Sequence, residues 1–145
     1  MNTWLSDDIV VNGISVRYYR TQGQGPPLVL AHGITDSAQD WQPLAQALEQ
    51  DYDLIMYDAR GHGASEAPPN EYTRKAHAAD LAGLIEALGL ERPALIGHSM
   101  GAANVATALA TYPELARGAI LEDPPWRETF TAEEVAERAR TWRAE

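Results

Sequence analysis

Residues 97–101 read Gly-His-Ser-Met-Gly, after the apolar run Pro93-Ala94-Leu95-Ile96 and before the alanine-rich stretch from Ala102 to Ala110. No other feature restricts the fold as much. It demands a strand that turns straight into a helix at Ser99, at a corner too tight for a Cβ on Gly97 or Gly101. The strained corner drives the Ser99 hydroxyl outward and leaves the Met100 amide unbonded at the start of the helix. Such a corner is a nucleophile elbow, with Ser99 as its nucleophile; the competing reading is a small residue chosen to fit a turn. His98 is expected to be a packed, hydrogen-bonded residue, because successive side chains at the corner diverge and its ring would strain to reach Ser99.

The rest of the chain supplies the sheet that this corner needs. Ile9-Val10-Val11, the turn Asn12-Gly13 and the run Ile14 to Tyr19 read as an antiparallel pair. A turn-rich break, Gly23-Gln24-Gly25-Pro26-Pro27, leads into Leu28-Val29-Leu30-Ala31, whose unbroken apolar character marks a buried parallel strand. Trp41, Leu44, Ala45 and Leu48 fall at helical spacing, with Asp40 as the N-cap and Pro43 in the first turn. Leu54 to Tyr57 is the next strand. Arg74 to Leu88 is a helix with Leu81, Leu84, Ile85 and Leu88 on one face, closed by Gly89. After the elbow helix, which ends at Tyr112-Pro113, Gly118-Ala119-Ile120-Leu121 is a last strand. Thr131-Ala132-Glu133-Glu134 is a capping box, and Ala132, Val135, Ala139 and Trp142 make a weak apolar stripe behind it. Strands alternating with helices specify an α/β fold with a mostly parallel sheet.

With 145 residues, 45% of them hydrophobic, the chain is long enough for one packed core. Its formal charge of −10 opposes nucleic acid and anionic membrane as partners. The absence of cysteine excludes disulfides, thiolate metal sites and cysteine nucleophiles. No signal peptide and no stretch of bilayer length is visible, so a cytoplasmic location is expected.

Other residues carry chemistry only by virtue of the elbow. His32-Gly33-Ile34 closes the strand Leu28 to Ala31, at the end of a sheet where ligands gather. An amide there, with Ile34 favoured, is the second oxyanion donor beside that of Met100; the bland reading is a strand-end turn. Asp58-Ala59-Arg60-Gly61-His62-Gly63-Ala64-Ser65 reads as a tight structural loop held by an Asp58–Arg60 ion pair. Asp123 follows the last strand and is the candidate acid for orienting a histidine, or else it caps the turn before Pro124-Pro125. Glu122 is the weaker contender. Trp41, Met100, Trp126 and Gly33 are candidates for an apolar pocket, with core packing the stronger role for Trp41. His32, His62, His77 and His98 show no metal-ligand spacing, and His77 with Asp80 reads as a surface pair.

Taken together, these residues resemble the α/β-hydrolase superfamily. The group in question carries His-Gly-x after the third strand, Asp-x-Arg-Gly-x-Gly-x-Ser after the fourth and Gly-x-Ser-x-Gly after the fifth. Here these are His32-Gly33-Ile34, Asp58 to Ser65 and Gly97 to Gly101, in order and at the usual spacing. The resemblance covers nearly the whole chain. It implies an opening antiparallel hairpin, then parallel strands with helices on both faces, truncated after about the sixth strand. Residues 1–126 would be the N-terminal part of the core and 127–145 the start of a lid helix. The implied activity is that of a serine hydrolase acting by acyl transfer on small carboxylic esters or related carbonyl compounds, with no metal and no cofactor. Related dehalogenases and epoxide hydrolases carry aspartate where this chain has Ser99.

The family order is serine, acid, histidine, and no histidine follows Ser99. The chain is therefore expected to be an N-terminal fragment with nucleophile and oxyanion hole but no base, weak or inactive alone. Its sixth strand is expected to be an open apolar edge that self-associates or takes a complementing C-terminal half. The alternative is a non-catalytic binding or assembly module whose sheet a partner chain completes.

Overall fold

The structure, a computed structural model, describes residues 3–126 and 131–142. Six strands form one sheet: β1 (Leu5–Val11), β2 (Ile14–Arg20), β3 (Pro27–Ala31), β4 (Asp53–Tyr57), β5 (Ala94–His98) and β6 (Gly118–Glu122). The helices are α1 (Gln42–Leu48), α2 (Arg74–Ala87), α3 (Met100–Thr111) and α4 (Ala132–Trp142). Strand order is β1-β2-β4-β3-β5-β6. β2 pairs antiparallel with β1 and with β4, and β4, β3, β5 and β6 run parallel. This is the mostly parallel α/β sheet that the sequence specifies.

Local chemistry sets the hairpin. Val11 pairs with Ile14 across Asn12 and Gly13, whose φ values of 49° and 80° are the left-handed pair that a two-residue loop needs. Handedness then decides which face each helix covers. The chain moves one way along the sheet from β3 to β4 and back past β3 from β4 to β5. Right-handed crossovers in opposite directions land on opposite faces. The α1 segment accordingly packs Ala38 and Ala45 against Leu28, Leu30, Leu54 and Met56. The step from β5 to β6 continues in the direction of β4 to β5, so α2 and α3 share the other face, over Val16, Val29, Ile55 and Leu95. Leu30, Leu54, Ile55, Leu81 and Leu84 lose all solvent contact, and each such side chain contributes about 1.5–3 kcal/mol.

Helix ends mostly follow the expected signals. Gly89 at φ 63° follows α2 as expected, while the cap that opens it, Thr73 Oγ1 accepting from the Ala76 amide at 3.1 Å, lies outside the sequence expectations. The capping box at Thr131 forms: its hydroxyl accepts from the Glu134 amide at 3.2 Å, and its amide donates to the Glu134 carboxylate at 2.7 Å. Asp40 is a correction. It does not cap α1; a 3-10 turn over Ala38–Trp41 comes first, with Ser37 as its N-cap. Asp40 reaches back to accept from the Ser37 amide at 2.7 Å, so it is the return half of a capping box. Residues 127–130, and the side chains of Val135, Ala139 and Trp142 in the expected stripe, lie outside the described residues.

The two sheet edges differ. β1 carries Asp7 and Asp8, charges of the kind that blunt an edge. β6 pairs only with β5 among the described residues, and its Gly118, Ala119 and Ile120 are exposed, Ile120 by 63%.

Candidate active site

β3 and β5 are neighbours, yet their outgoing connections run in opposite directions along the sheet. Open α/β sheets form a ligand crevice at such a point, beyond the carboxyl ends of the strands. Residues 32–36 leave β3 there, and Ser99 leaves β5; the register Ala31 opposite Gly97 sets them side by side.

Ser99 stands at φ 49°, ψ −113°, a conformation that costs a non-glycine residue about 1–3 kcal/mol and persists only where its surroundings impose it. Its amide donates to the Glu122 carbonyl at 2.9 Å, and its carbonyl accepts from the Ala103 amide at 3.1 Å. A Cβ on Gly97 would stand 2.5 Å from the Gly101 carbonyl oxygen and 2.6 Å from the Ala102 nitrogen, while one on Gly101 would overlap the Ala31 carbonyl. Both glycines are thus required by close approach of backbone to backbone, between α3 and the strands β5 and β3. Met100 is the first residue of α3, so its amide has no acceptor inside the helix.

Across the crevice, the Gly33 amide donates to Asp36 Oδ2 at 3.1 Å. The Gly33 carbonyl accepts from His32 Nδ1 at 2.7 Å and from the Asp36 amide at 3.2 Å. The Ile34 amide is left without a partner among the described residues, and its side chain is exposed. The Thr35 amide likewise has no partner among the described residues, whereas the Gly33 and Asp36 amides are bonded.

None of the four histidines bonds to the Ser99 hydroxyl among the described residues. His32, 2% exposed, accepts from the Ala59 amide at Nε2, 3.0 Å away, so its proton sits on Nδ1 and the ring is neutral. His62 Nδ1 lies 3.0 Å from the Arg60 carbonyl and its Nε2 2.8 Å from that of Ile34. His77 is buried in α2, and His98 Nδ1 lies 3.3 Å from Asp36 Oδ2. The Ser99 hydroxyl makes no hydrogen bond among the described residues, to a histidine or otherwise.

Burial pushes the pKa values of His32 and His77 below that of a free histidine. Unfolded, the same rings take up protons near pH ~6.5. Acidification through that value therefore protonates the unfolded chain first and draws the equilibrium toward it. The unfolding midpoint is expected to fall as pH drops from about 7.5 to about 5.5, and to fall less in His77→Gln. Thermal melts at several pH values measure this; a midpoint that holds or rises on acidification contradicts it.

Two sequence expectations are corrected. Asp58 does not pair with Arg60; its two carboxylate oxygens accept from the Ala38 amide at 2.8 Å and the Ala64 amide at 2.9 Å. It binds the loop after β4 to the start of the 3-10 turn, and a Cβ on Gly63 would collide with its carboxylate. Nor are His77 and Asp80 a surface pair. Both are buried, and Asp80 takes Arg60 in a two-pronged ion pair at 2.6 and 2.8 Å.

Asp123 follows β6 at φ 46°, exposed, and its carboxylate caps no turn among the described residues. Trp126, also exposed, is reached by a chain that bonds the Trp126 amide to the Pro124 carbonyl at 2.9 Å. Trp41 packs against the core on the α1 side, as expected, and also borders a cleft of about 170 Å³ with His32, Asp36, Asp40, His98 and Glu122. Among the described residues, no cluster of three or more His, Asp or Glu could hold a metal ion, and no helix is long and apolar enough to cross a membrane.

Asp36 is the site residue that sequence reasoning passes over. Its only local signal is a carboxylate three residues after Gly33 in a strand-end loop, the spacing of a side chain that closes its own turn.

Residues 26–144 match the family described as alpha/beta hydrolase fold. The 2-(acetamidomethylene)succinate hydrolase of Mesorhizobium japonicum is 40% identical over 111 residues, covering 76% of this chain and 40% of that protein. The N-formylmaleamate deformylase of Pseudomonas putida is 37% identical over 127 residues, 86% of this chain and 47% of that one. The crystal structure of an E-2-(acetamidomethylene)succinate hydrolase superposes with a TM-score of 0.82 at 32% identity, over 95% of this chain and 50% of the other. The chain thus spans about half the length of these relatives or less.

Proposed function

The chain belongs to the alpha/beta hydrolase fold family, and from that premise we propose that it carries the nucleophile of a serine hydrolase working by acyl transfer. The strained backbone of Ser99 carries this reading. A residue spared any chemistry would relax or be a glycine; strain retained at a crevice, beside two unbonded amides, is what a preorganised nucleophile needs.

In this mechanism Ser99 Oγ attacks the substrate carbonyl carbon and passes its proton to a general base as the C–O bond forms. The amides of Ile34 and Met100 hold the oxyanion. Collapse breaks the bond to the leaving group, which departs with the proton, and water then cleaves the acyl-serine ester. Gly33, Met100 and Trp126 border the acyl group. The names of the two relatives describe an acetamido and an N-formyl compound, which favours N-acyl substrates alongside esters; both pass through the same tetrahedral intermediate.

No histidine of this sequence serves Ser99. We place the base on a further polypeptide segment, joining the sheet at the bare β6 edge and oriented by Asp123 one residue past that strand. Without it a neutral serine is a weak nucleophile. The missing base favours a second reading, a non-catalytic module, but that reading leaves the strain at Ser99 without a purpose.

The test is covalent labelling with a fluorophosphonate, in which Ser99 Oγ displaces fluoride, with and without added imidazole as a soluble base. The expected result is one adduct per chain, on Ser99, formed faster with imidazole and absent from Ser99→Ala. An adduct on another serine, or none on Ser99 even with imidazole, overturns the proposal.

A further inference from the structure

The Ile34 amide can serve as an oxyanion donor only if its peptide plane is aimed and held. That plane is shared with the Gly33 carbonyl, which points the opposite way across a trans peptide bond. The Gly33 carbonyl is fixed by two donors, His32 Nδ1 at 2.7 Å and the Asp36 amide at 3.2 Å. The preceding plane is fixed as well, because the Gly33 amide donates to Asp36 Oδ2 at 3.1 Å. Asp36 therefore grips both sides of Gly33, once through its backbone and once through its carboxylate.

The same carboxylate oxygen lies 3.3 Å from His98 Nδ1. His98 is the last residue of β5 and the neighbour of Ser99. A Cβ on Gly33 would stand 2.5 Å from Asp36 Oδ2 and 2.9 Å from His98 Nδ1, so the three groups are in close contact and glycine alone leaves room for them. One oxygen thus joins the loop after β3 to the strand that ends at the nucleophile.

We propose that Asp36 is a positioning residue: through Gly33 and His98 it fixes the Ile34 amide relative to Ser99. The inference rests on the acyl-transfer reading given above. Asp36 touches no substrate; its effect reaches the reaction through the direction of one N–H. Losing an oxyanion donor outright costs about 10²–10³-fold in rate, so loosening one is expected to cost roughly tenfold.

The experiment compares two probes on the whole chain, a fluorophosphonate with a P=O oxygen and its P=S counterpart, with imidazole present in both cases. Sulfur is the poorer hydrogen-bond acceptor, so the ratio of the two labelling rates reports on the oxyanion donors. In Asp36→Ala the P=O probe is expected to react roughly tenfold more slowly with Ser99 while the P=S probe changes little, so that the ratio collapses. Asp36→Asn keeps an oxygen for the Gly33 amide and is expected to restore most of the ratio. Thermal melts accompany each variant. Equal slowing of both probes, or no slowing in a folded Asp36→Ala, overturns the positioning role and leaves Ser99 as nucleophile. No Ser99 adduct in the unchanged chain overturns the proposed function and this inference with it.

Discussion

The Ser99→Gly variant is expected to melt higher than the unchanged chain and to lose all covalent labelling. Ser99 sits at φ 49°, ψ −113°, the mirror image of an ordinary extended conformation, which glycine adopts freely. Removing the Cβ relieves about 1–3 kcal/mol of strain. Glycine's greater freedom in the unfolded chain offsets about 0.5–1 kcal/mol of that, leaving a net gain of about 0–2.5 kcal/mol, centred on ~1. For a chain of this length each kcal/mol moves the midpoint by about 2–4 °C. Ser99→Ala keeps the Cβ and with it the strain, so its midpoint should stay where it is while labelling is lost just as completely. Loss of the nucleophile in such a site typically removes more than ~10³-fold of the rate. Melting curves and adduct mass together decide the matter. A Ser99→Gly chain less stable than the original would mean that the serine is there for the fold.

The second large effect lies away from the crevice. Arg60 and Asp80 are 5% and 3% exposed, and join through two hydrogen bonds at 2.6 and 2.8 Å. Arg60 also donates to the Glu71 carbonyl at 2.6 Å, and Asn12 Nδ2 to Asp80 Oδ1 at 3.1 Å. The cluster ties the loop after β4 to α2 and to the first hairpin. Arg60→Ala strands a carboxylate in the interior with only an amide for company. The expected loss is about 3–5 kcal/mol, against a total stability of roughly 5–15 kcal/mol. Urea unfolding should show it as a lower midpoint at similar slope. Arg60→Lys should recover only part, since an ammonium cannot match both carboxylate oxygens. Replacing both partners together by Met and Leu should cost less than either single change, because no charge is then left buried and alone. A single-variant loss below about 1 kcal/mol, the value of a surface pair, would contradict the burial of this cluster.

Much of this molecule is legible along the chain because its causes are local. Asn12-Gly13 forces a two-residue hairpin through its own backbone angles. Gly97 and Gly101 announce the corner at Ser99 because contacts within five residues exclude a Cβ at the first of them. Gly89 and Thr131 mark helix ends through interactions that span at most a turn. The unbroken apolar runs of β3 and β4 show in advance that both faces of those strands are covered.

The carboxylates were not legible in this way. Asp58 and Asp80 each had a plausible partner nearby in sequence, and each bonds differently in the fold. Asp58 serves amides 20 residues before it and 6 after it, and Asp80 takes an arginine 20 residues away. A charged group inside the protein must find a partner wherever the backbone brings one, and nothing in its neighbours along the chain records which. The link from Asp36 to His98 spans 62 residues and exists only because β3 and β5 adjoin at the reversal point of the sheet. The sequence by itself determined most of the elements and the tight corner at Ser99, since those rest on sterics and hydrogen bonds within a few residues. Which buried charges pair, and that no histidine bonds Ser99 among the described residues, were decided by the tertiary structure, because those relations act through space between segments that only the packed sheet makes neighbours.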